Sequence, residues 1–286
     1  MGTPRFEDQF CIVVPAFNEA LTIGRVVGEC LAASDRVYVV DDGSSDDTAR
    51  MATLAGATIL RNESNLGLGA SLRRGFRQAL TDGFELVGTV DADGVHRPSD
   101  LQRLLVHHID IGADLTLGSR AGHDMAFKCL PGPRASANRL VQLSLNKLLN
   151  GAVSDWLTGL RILGRRALEG AFSENGYAIA VELVARGLVA GWTIGEVQIE
   201  IDYGTAALQG TKRRELEDFV FFCSSLTGHQ AFFQVINAVK VRTCFTIFVE
   251  GRWFECRVSD QDGNYVVHEL EGLPEPRIVG DLFNVT

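Results

Sequence analysis

Short apolar runs alternate with longer amphipathic segments along residues 10–198. The apolar runs are rich in β-branched residues and are bounded by Gly, Pro, Asn or Asp, a pattern typical of buried strands. The segments between them place apolar side chains three and four positions apart, as surface helices do. Strands that alternate with helices favour an α/β fold with a mostly parallel central sheet flanked by helices. The strands are predicted at FCIVVPAF, RVYVVDDG, TILRN, FELVGTVDADG, ADLTLGSR and WTIGEVQIEIDY.

The helical period marks five shorter segments and one longer region. A helix in SSDDTARMATLAGA is predicted to be capped by Ser45 or Asp46, whose side chains can accept a backbone N–H. Residues 131–170 are predicted to be helical, with a break at SDWLTGLR. The remaining helices are predicted in EALTIGRVVGECLAA, LGASLRRGFRQALTDG, PSDLQRLLVHHIDIG and YAIAVELVARGLVAG.

In the tail of the chain, apolar and polar residues alternate with a period of two, as they do in β-strands. Its three alternating runs, in TCFTIFVEGRWFECRVSDQDGNYVVHEL, are separated by Glu250-Gly251 and Asp262-Gly263, which suit hairpin turns. We therefore predict a small antiparallel β extension over residues 241–286, after a main domain over residues 1–240. The extension can cap the main sheet, build a dimer or bind a partner, and the pattern does not choose among these.

Composition argues against several classes of protein. The 286 residues carry a net charge of −9, which disfavours a general nucleic-acid binder. The six cysteines form no CxxC pair and are interpreted as free thiols of the reducing cytoplasm. The N-terminus lacks the basic start and apolar run of a signal peptide. The most apolar long window, residues 219–239, includes His229, Gln230 and Asn237, so we interpret it as a buried or interfacial helix rather than a membrane span.

Polar clusters stand at the ends of four predicted strands: PAFNEA, DDGSSDD, DADG and GSR. In parallel α/β sheets ligands bind at the carboxyl ends of the strands, so this shared position points to a binding site. Asp91 and Asp93 supply the oxygen ligands that Mg²⁺ and Mn²⁺ prefer, but a turn that caps the next helix has the same composition. Alternation within a strand would point the two carboxylates to opposite faces. A metal site therefore requires that the strand has already turned, which Gly94 permits.

Seven motifs, VVPAFNEA, VVDDGSSDDT, NLGLGASLRRG, VDADGVHRP, GSR, SDWLTGLRILGRRAL and GWTIGEVQI, follow one another along roughly residues 10–215. In these motifs and their order the chain resembles the family 2 glycosyltransferases of the GT-A fold. Within that family it most resembles the polyprenyl-phosphate glycosyltransferases that are similar to dolichol-phosphate mannose synthase. Each motif is weak alone, whereas the ordered set is specific. The resemblance does not cover the tail after about Phe219.

The resemblance implies a Rossmann-like GT-A domain and an inverting hexosyltransferase that uses a UDP- or GDP-sugar and a divalent metal, Mg²⁺ or Mn²⁺. It implies a polyprenyl phosphate or related acceptor, with the protein in the cytoplasm or peripheral at the membrane surface. Two alternatives stay open: transfer to a soluble or glycan hydroxyl acceptor, and a non-catalytic nucleotide-binding or scaffold protein. A homo-oligomer is compatible with the implied function and with both alternatives.

The resemblance also assigns roles in donor binding. Asp93 is expected to be the firmer metal ligand, and Asp91 to face the metal or the ribose. Asp42 is expected to hydrogen-bond the base; an ionised carboxylate only accepts, so it can read an N–H of uracil or guanine but not N1 of adenine. Asp42, Asn18 and Glu19 can also be explained as helix caps. The nucleotide pocket is expected to include Pro15, Ala16, Asn18, Glu19, Asp42 and Asp91.

Three further residues are expected at the reaction centre. Arg120 is expected to contact a phosphate, and Lys212, in the predicted loop GTAALQGTK, to cover the diphosphate. Asp155 is expected to be the general base toward a hydroxyl acceptor, or to position a phosphate acceptor, which is already an anion and needs no strong base. Glu182 and Glu196 match acidic positions of the family, but such residues are more often structural.

Four positions depart from the family pattern. Val95 stands where a glutamine can ligate the metal, so the expected metal site is weakened. Ala207 replaces an arginine and Leu68 a lysine, whereas Gln198 replaces a proline. The first three departures remove polar or positive groups near phosphates and motivate the non-catalytic alternative. The candidates to supply positive charge instead are Arg73, Arg74, Lys212, Arg213 and Arg214.

Overall fold

The structure is a computed structural model of the chain. It describes residues 9–121, residues 138–201 except for 139–140, 143–144 and 147–148, and the backbone of three tail strands at 244–249, 252–261 and 264–269. The predicted helix at 219–239 and the predicted turns at 250–251 and 262–263 lie outside the described residues.

A sheet of seven strands forms the centre of the main unit, in the order β3-β2-β1-β4-β6-β5-β7. All strands run parallel except β6, which is antiparallel to both β4 and β5. This confirms the predicted mostly parallel sheet. The strands are β1 (Phe10–Ala16), β2 (Val37–Asp41), β3 (Thr58–Arg61), β4 (Leu86–Thr89), β5 (Leu115–Ser119), β6 (Arg161–Gly164) and β7 (Ile194–Gln198).

The helices between the strands follow the predicted segments. Helix α2 begins at Thr48, with Asp47 at its N-cap rather than the predicted Ser45 or Asp46. Asp46 still accepts a hydrogen bond from the Thr48 N–H, at 3.0 Å, so it satisfies one of the open donors of the first turn. The helices are α1 (Ile23–Leu31), α2 (Thr48–Leu54), α3 (Leu68–Thr81), α4 (Asp100–Asp110), α5 (Arg165–Leu168) and α6 (Ile179–Val189).

The prediction of helix over residues 131–170, with its break at SDWLTGLR, is wrong for residues 162–164. The described residues of 138–149 are helical, but Arg161–Gly164 forms the buried strand β6 between β4 and β5. The four residues RILG are too few to show a period, so periodicity cannot separate a buried strand from a helix here. Pairing with strands on both sides decides the conformation.

Strand β1 is packed on both faces, because its successive side chains alternate between them. Ile12 and Val14 belong to the core cluster that includes Val26 and Val27 of α1 and Leu104 of α4. Val13 points to the opposite face, where it touches Gly75 of α3. The sheet is thus covered by helices on both sides, as a parallel sheet requires.

The contacts divide the chain into two compact units. Described residues 9–120 and 157–201 belong to the first unit, and described residues 121 and 138–156 and the tail strands to the second. The tail strands β8 (Cys244–Val249), β9 (Arg252–Gln261) and β10 (Asn264–Glu269) form an antiparallel sheet, which confirms the predicted extension as a β element. The proposed boundary at residue 240 stays a prediction. Among the described residues, no helix is long and apolar enough to cross a membrane.

The close approach of α3 to β1 gives a test of this packing. A Cβ added at Gly75 would overlap Val13 Cγ1, so Gly75→Ala is expected to lower the free energy of unfolding by about 1–3 kcal/mol. Urea denaturation measures this change. Gly28→Ala on α1 is the matched control, because a Cβ there meets no atom within 4 Å, and this variant should be as stable as the wild type or more so. Equal stability of the two variants would contradict the packing.

Candidate active site

Four loops leave the sheet at one edge. They follow the carboxyl ends of β1, β2, β4 and β5, which all point in the same direction. From β1 the chain first adds β2 and β3 on one side and then returns to place β4 on the other side. Such a reversal of strand order opens a crevice where α/β proteins bind ligands. This edge carries Pro15, Ala16, Asn18, Glu19, Asp42, Asp91, Asp93 and Arg120.

The loops after β1 and β2 are tied to each other by hydrogen bonds. The Asn18 N–H donates to Ser44 Oγ at 2.9 Å, and Asn18 Oδ1 accepts from the Ser45 N–H at 2.9 Å. Asn18 has a φ of 56°, a left-handed conformation that Asn tolerates better than most residues. The Glu19 N–H donates to Thr48 Oγ1 at 2.7 Å. These contacts give Asn18 a structural role beside its predicted place in the nucleotide pocket.

Asp42 is a buried carboxylate that fixes the loop before α3. Its Oδ1 accepts from Asn62 Nδ2 at 2.7 Å and from the Leu66 N–H at 2.9 Å, and its Oδ2 accepts from the Gly67 N–H at 2.8 Å. An ionised carboxylate has about four acceptor positions. The three donors that the described residues supply to Asp42 thus leave about one of these positions unused. The alternative that Asp42 caps the following helix is not realised, because α2 begins at Thr48 and has Asp47 at its N-cap.

Arg73 and Arg74 of α3 are both engaged in contacts within the protein. Arg74 Nη1 donates to Asn62 Oδ1 at 2.7 Å. Arg73 donates to the Glu174 carbonyl and to Asn175 Oδ1. These contacts stabilise the surroundings of Asp42 and direct the two guanidinium groups to protein acceptors.

Glu182 of α6 is buried and holds the loop that packs on the start of α3. Its carboxylate accepts from the N–H groups of Ser173 and Glu174 at 3.0 Å and from Arg186 Nε at 2.8 Å. In the same loop, the Asn175 carbonyl accepts from the Gly69 N–H at 2.6 Å. Glu182 thus supports the nucleotide-side loops from a distance, which agrees with the structural role.

The pKa of Glu182 reflects this environment. Burial alone would raise the pKa, but the hydrogen bonds from Glu174, Ser173 and Arg186 stabilise the anion and hold the pKa below its ordinary value of 4.5.

The loop after β4 has left the strand before Asp91 and Asp93, as a metal site formed by both carboxylates requires. Strand β4 ends at Thr89, and the chain turns at Ala92 and Asp93, so strand alternation does not constrain the two carboxylates. Asp93 Oδ1 accepts from the Val95 N–H at 3.0 Å, which closes the turn. The Asp91 side chain is 35% exposed. Val95 is buried, so it contributes packing to this loop.

Gly159, which precedes β6, lies directly against the Asp91 carboxylate. A Cβ at this position would overlap both carboxylate oxygens. The Gly159 carbonyl accepts from Thr89 Oγ1 at 2.8 Å, which fixes the backbone at this contact. The sequence motif contained Gly159, but its role depends on a contact 68 positions away along the chain, which no local pattern reveals.

His96 lies behind Asp91 and is buried, with 2% of its surface exposed. Its Nδ1 is 3.3 Å from Asp91 Oδ2, although the two are not aligned for a hydrogen bond. Neither ring nitrogen has a hydrogen-bond partner within the described part of the chain. A buried polar atom without a partner costs about 1–3 kcal/mol, so His96 is an unusual feature of the core.

Asp91 and Asp93 fit a cation that is shared with a diphosphate. In the described ranges, no three His, Cys, Asp or Glu side chains are grouped so that they could hold a metal by themselves. Mg²⁺ is often bound by one or two carboxylates together with substrate phosphates and water. Two carboxylates in a turned loop beside the switch in strand order supply that kind of donor set.

The residues expected at the reaction centre fall in different places. Arg120 directly follows β5 and is partly exposed at the same sheet edge. Asp155 belongs to the second unit and is fully buried. Its neighbours are anchored by Asn146, which accepts from Trp156 Nε1 and from the Val153 N–H, both at 3.1 Å. Lys212 lies outside the described residues. Glu196 is partly exposed on β7.

Residues 11–169 match the family described as Glycosyl transferase family 2. Polyprenol monophosphomannose synthase of Mycolicibacterium smegmatis is 32% identical over 229 residues, 75% of this chain and 86% of that protein. UDP-N-acetylglucosamine–dolichyl-phosphate N-acetylglucosaminyltransferase of Methanococcus voltae is 29% identical over 216 residues, 67% of this chain and 85% of that protein.

The fold is similar to that of a solved structure, glucosyl-3-phosphoglycerate synthase from Mycobacterium tuberculosis in complex with Mn²⁺ and UDP-glucose. The TM-score is 0.60 at 21% identity, and the match covers 92% of this chain and 86% of that chain. This likeness confirms the predicted GT-A type of α/β fold.

The contact between Gly159 and Asp91 predicts how a methyl group added at position 159 changes metal binding. Gly159→Ala should displace the Asp91 carboxylate and weaken the binding of Mn²⁺ in the presence of UDP or GDP. Isothermal titration calorimetry measures the affinity. Gly24→Ala on α1 is the control, because its Cβ would make only an ordinary contact of 3.9 Å with Met51 Cε. Unchanged affinity in the folded Gly159→Ala protein would show that Asp91 does not hold the metal.

The low pKa of Glu182 predicts a pH dependence of stability. Because the pKa is lower in the folded than in the unfolded chain, its contribution is complete above about pH 4.5 and is lost as the pH falls through the lower folded value. Glu182→Gln should therefore be less stable than the wild type near neutral pH, and the difference should shrink in acid. Urea denaturation across this pH range measures it.

Glu169→Gln is the control for Glu182→Gln, because Glu169 also pairs with an arginine four positions away in sequence but is 54% exposed. This control should show little change in stability at any pH. A Glu182→Gln protein that unfolds like the control would contradict the buried network.

Proposed function

This chain belongs to glycosyl transferase family 2, and we propose that it transfers a sugar from a UDP- or GDP-sugar to a polyprenyl phosphate with inversion at the anomeric carbon. The observation that carries the proposal is that Asp42, Asp91, Asp93 and Arg120 all follow strand ends at one edge of the sheet, the edge where the strand order switches between β1 and β4. The acceptor is supported by the two relatives, whose names specify a polyprenol monophosphomannose product and a dolichyl phosphate substrate.

The proposed reaction is a direct displacement at the anomeric carbon. A phosphate oxygen of the acceptor attacks this carbon, and the bond to the nucleoside diphosphate breaks on the opposite side. The oxygen that attacks is already an anion, so no side chain has to remove a proton. The nucleoside diphosphate leaves with the electron pair of the broken bond. The chain therefore has to hold the acceptor phosphate and the leaving diphosphate in line on opposite sides of the anomeric carbon, rather than supply a strong base.

Asp91 and Asp93 would hold the divalent cation. Such a cation stabilises the charge that develops on the leaving diphosphate. Asp42 would accept one N–H of the base with the acceptor position that Asn62, Leu66 and Gly67 leave open.

On the acceptor side, Arg120 would contact the acceptor phosphate, since a guanidinium matches two phosphate oxygens at once. Lys212 would cover the diphosphate, and Asp155 would position the acceptor or the sugar. A polyprenyl phosphate acceptor would bring the protein to the surface of a membrane.

Asp93→Asn tests the proposal without removing the turn of its loop, because Asn keeps an Oδ1 acceptor for the Val95 N–H. The wild type is incubated with undecaprenyl phosphate in detergent, Mn²⁺, and GDP-mannose, UDP-N-acetylglucosamine or UDP-glucose. Mass spectrometry should detect a glycosylated polyprenyl phosphate with one of these donors. Asp93→Asn should lose the product, excess EDTA should remove it from the wild type, and exposed Asp110→Ala should keep it.

Three results would contradict the proposal. A product on a soluble phosphate such as 3-phosphoglycerate, but not on the polyprenyl phosphate, would assign a different acceptor. Nucleotide binding without transfer or hydrolysis of any donor would indicate a non-catalytic protein. Full activity of Asp93→Asn in EDTA would exclude the metal from this loop.

A further inference from the structure

His96 combines three properties that packing alone does not explain. It is 2% exposed, neither ring nitrogen has a hydrogen-bond partner among the residues described, and its Nδ1 is 3.3 Å from Asp91 Oδ2. A residue of the same size without polar atoms would fill this volume at no cost in unpaired groups. The polar atoms of His96 therefore point to an interaction with Asp91.

Gly159 and His96 are two of the groups that lie against the Asp91 carboxylate. Gly159 lies against both of its oxygens on one side, and His96 Nδ1 faces Oδ2. The exposed fraction separates the roles of the two side chains, because the Asp91 side chain is 35% exposed and that of His96 only 3%. Asp91 is therefore the group that can reach a ligand, and His96 is the group behind it.

We propose that His96 is a positioning residue, whose Nδ1–H donates to Asp91 Oδ2 and fixes the carboxylate for a divalent cation. The inference rests on the proposed function and deepens its metal site. Hydrogen bonds at such sites are often poorly aligned before the ligand binds and become aligned in the complex. A donor to a metal-ligating carboxylate orients it, and the loss of such a partner commonly weakens metal binding. Because the Val95 side chain offers no polar group to a metal in this loop, the orientation of the Asp91 carboxylate has a larger effect on the affinity for the cation.

A different arrangement would make His96 itself a metal ligand through Nε2. The two arrangements use different ring nitrogens, and two amide side chains separate them. The amide nitrogen of Asn occupies nearly the position of Nδ1, whereas that of Gln reaches the position of Nε2. The variants His96→Asn and His96→Gln therefore test one nitrogen each, and His96→Phe removes both.

The experiment measures Mn²⁺ binding by electron paramagnetic resonance in the presence of UDP or GDP, whichever supports binding to the wild type. His96→Gln and His96→Phe should weaken Mn²⁺ binding roughly 10- to 100-fold, and His96→Asn should remain near the wild type. In the transfer assay, the KM for the donor should rise more than kcat falls, because ground-state binding of the donor is lost.

His108→Phe is the matched control. His108 is also buried, at 3%, but its Nδ1 lies 3.0 Å from Thr116 Oγ1, and burial lowers its pKa to about 4. This variant should lose stability in urea while it keeps the Mn²⁺ affinity of the wild type, which separates a loss of packing from a loss of positioning.

Each other outcome overturns the assignment. Affinity that is retained in His96→Gln but lost in His96→Asn would make Nε2 the working nitrogen. Affinity that is retained in His96→Phe, or lost equally in all three variants, would show that Nδ1 does not position Asp91. If the wild type itself binds no Mn²⁺ with either nucleotide, the metal in the proposed function fails, and the role of His96 fails with it.

Discussion

Strand β6 runs against both of its neighbours, so the residues that precede it reach the same edge of the sheet as the residues that follow β4 and β5. This reversal brings the backbone of Gly159 against the Asp91 carboxylate, and the Thr89 hydroxyl at the end of β4 donates to the Gly159 carbonyl. A parallel strand in the same place would have delivered these residues to the opposite edge. The geometry of the candidate metal loop therefore depends on one antiparallel strand in the middle of the sheet.

Two buried carboxylates organise the nucleotide side of the same edge. Asp42 holds the loop before α3, and Glu182 holds the loop that caps α3 through the Asn175 carbonyl. Most of their partners are backbone N–H groups, which stabilise an anion without bringing a second buried charge that would itself need a partner. The start of α3 is therefore held from two sides, by Asp42 after β2 and by the loop that Glu182 of α6 fixes.

In the described part of the chain the sequence pattern predicted most of the fold, because the segments that contain β1 to β5, β7, α1 to α4 and α6 are long enough to show a period or are bounded by turn residues. It also placed the polar loops at one sheet edge, since parallel strands share a direction. The pattern could not predict β6, whose four residues have no period, or the partners of Asp42, Asp91 and Glu182. Asn62 lies 20 positions from Asp42, and such contacts are set by packing rather than by local preference.

The start of α3 limits how a diphosphate can be neutralised at this edge. A helix N-terminus often binds phosphate through its free N–H groups. Here the Gly67 N–H is taken by Asp42, the N–H groups of Gly69 and Ala70 are taken by the Asn175 carbonyl, and Leu68 brings no charge. Arg73 and Arg74 donate to acceptors within the protein. In the proposed reaction, the positive charge that a diphosphate requires would therefore come from groups other than the start of α3, and the proposed cation on Asp91 and Asp93 would be one of them.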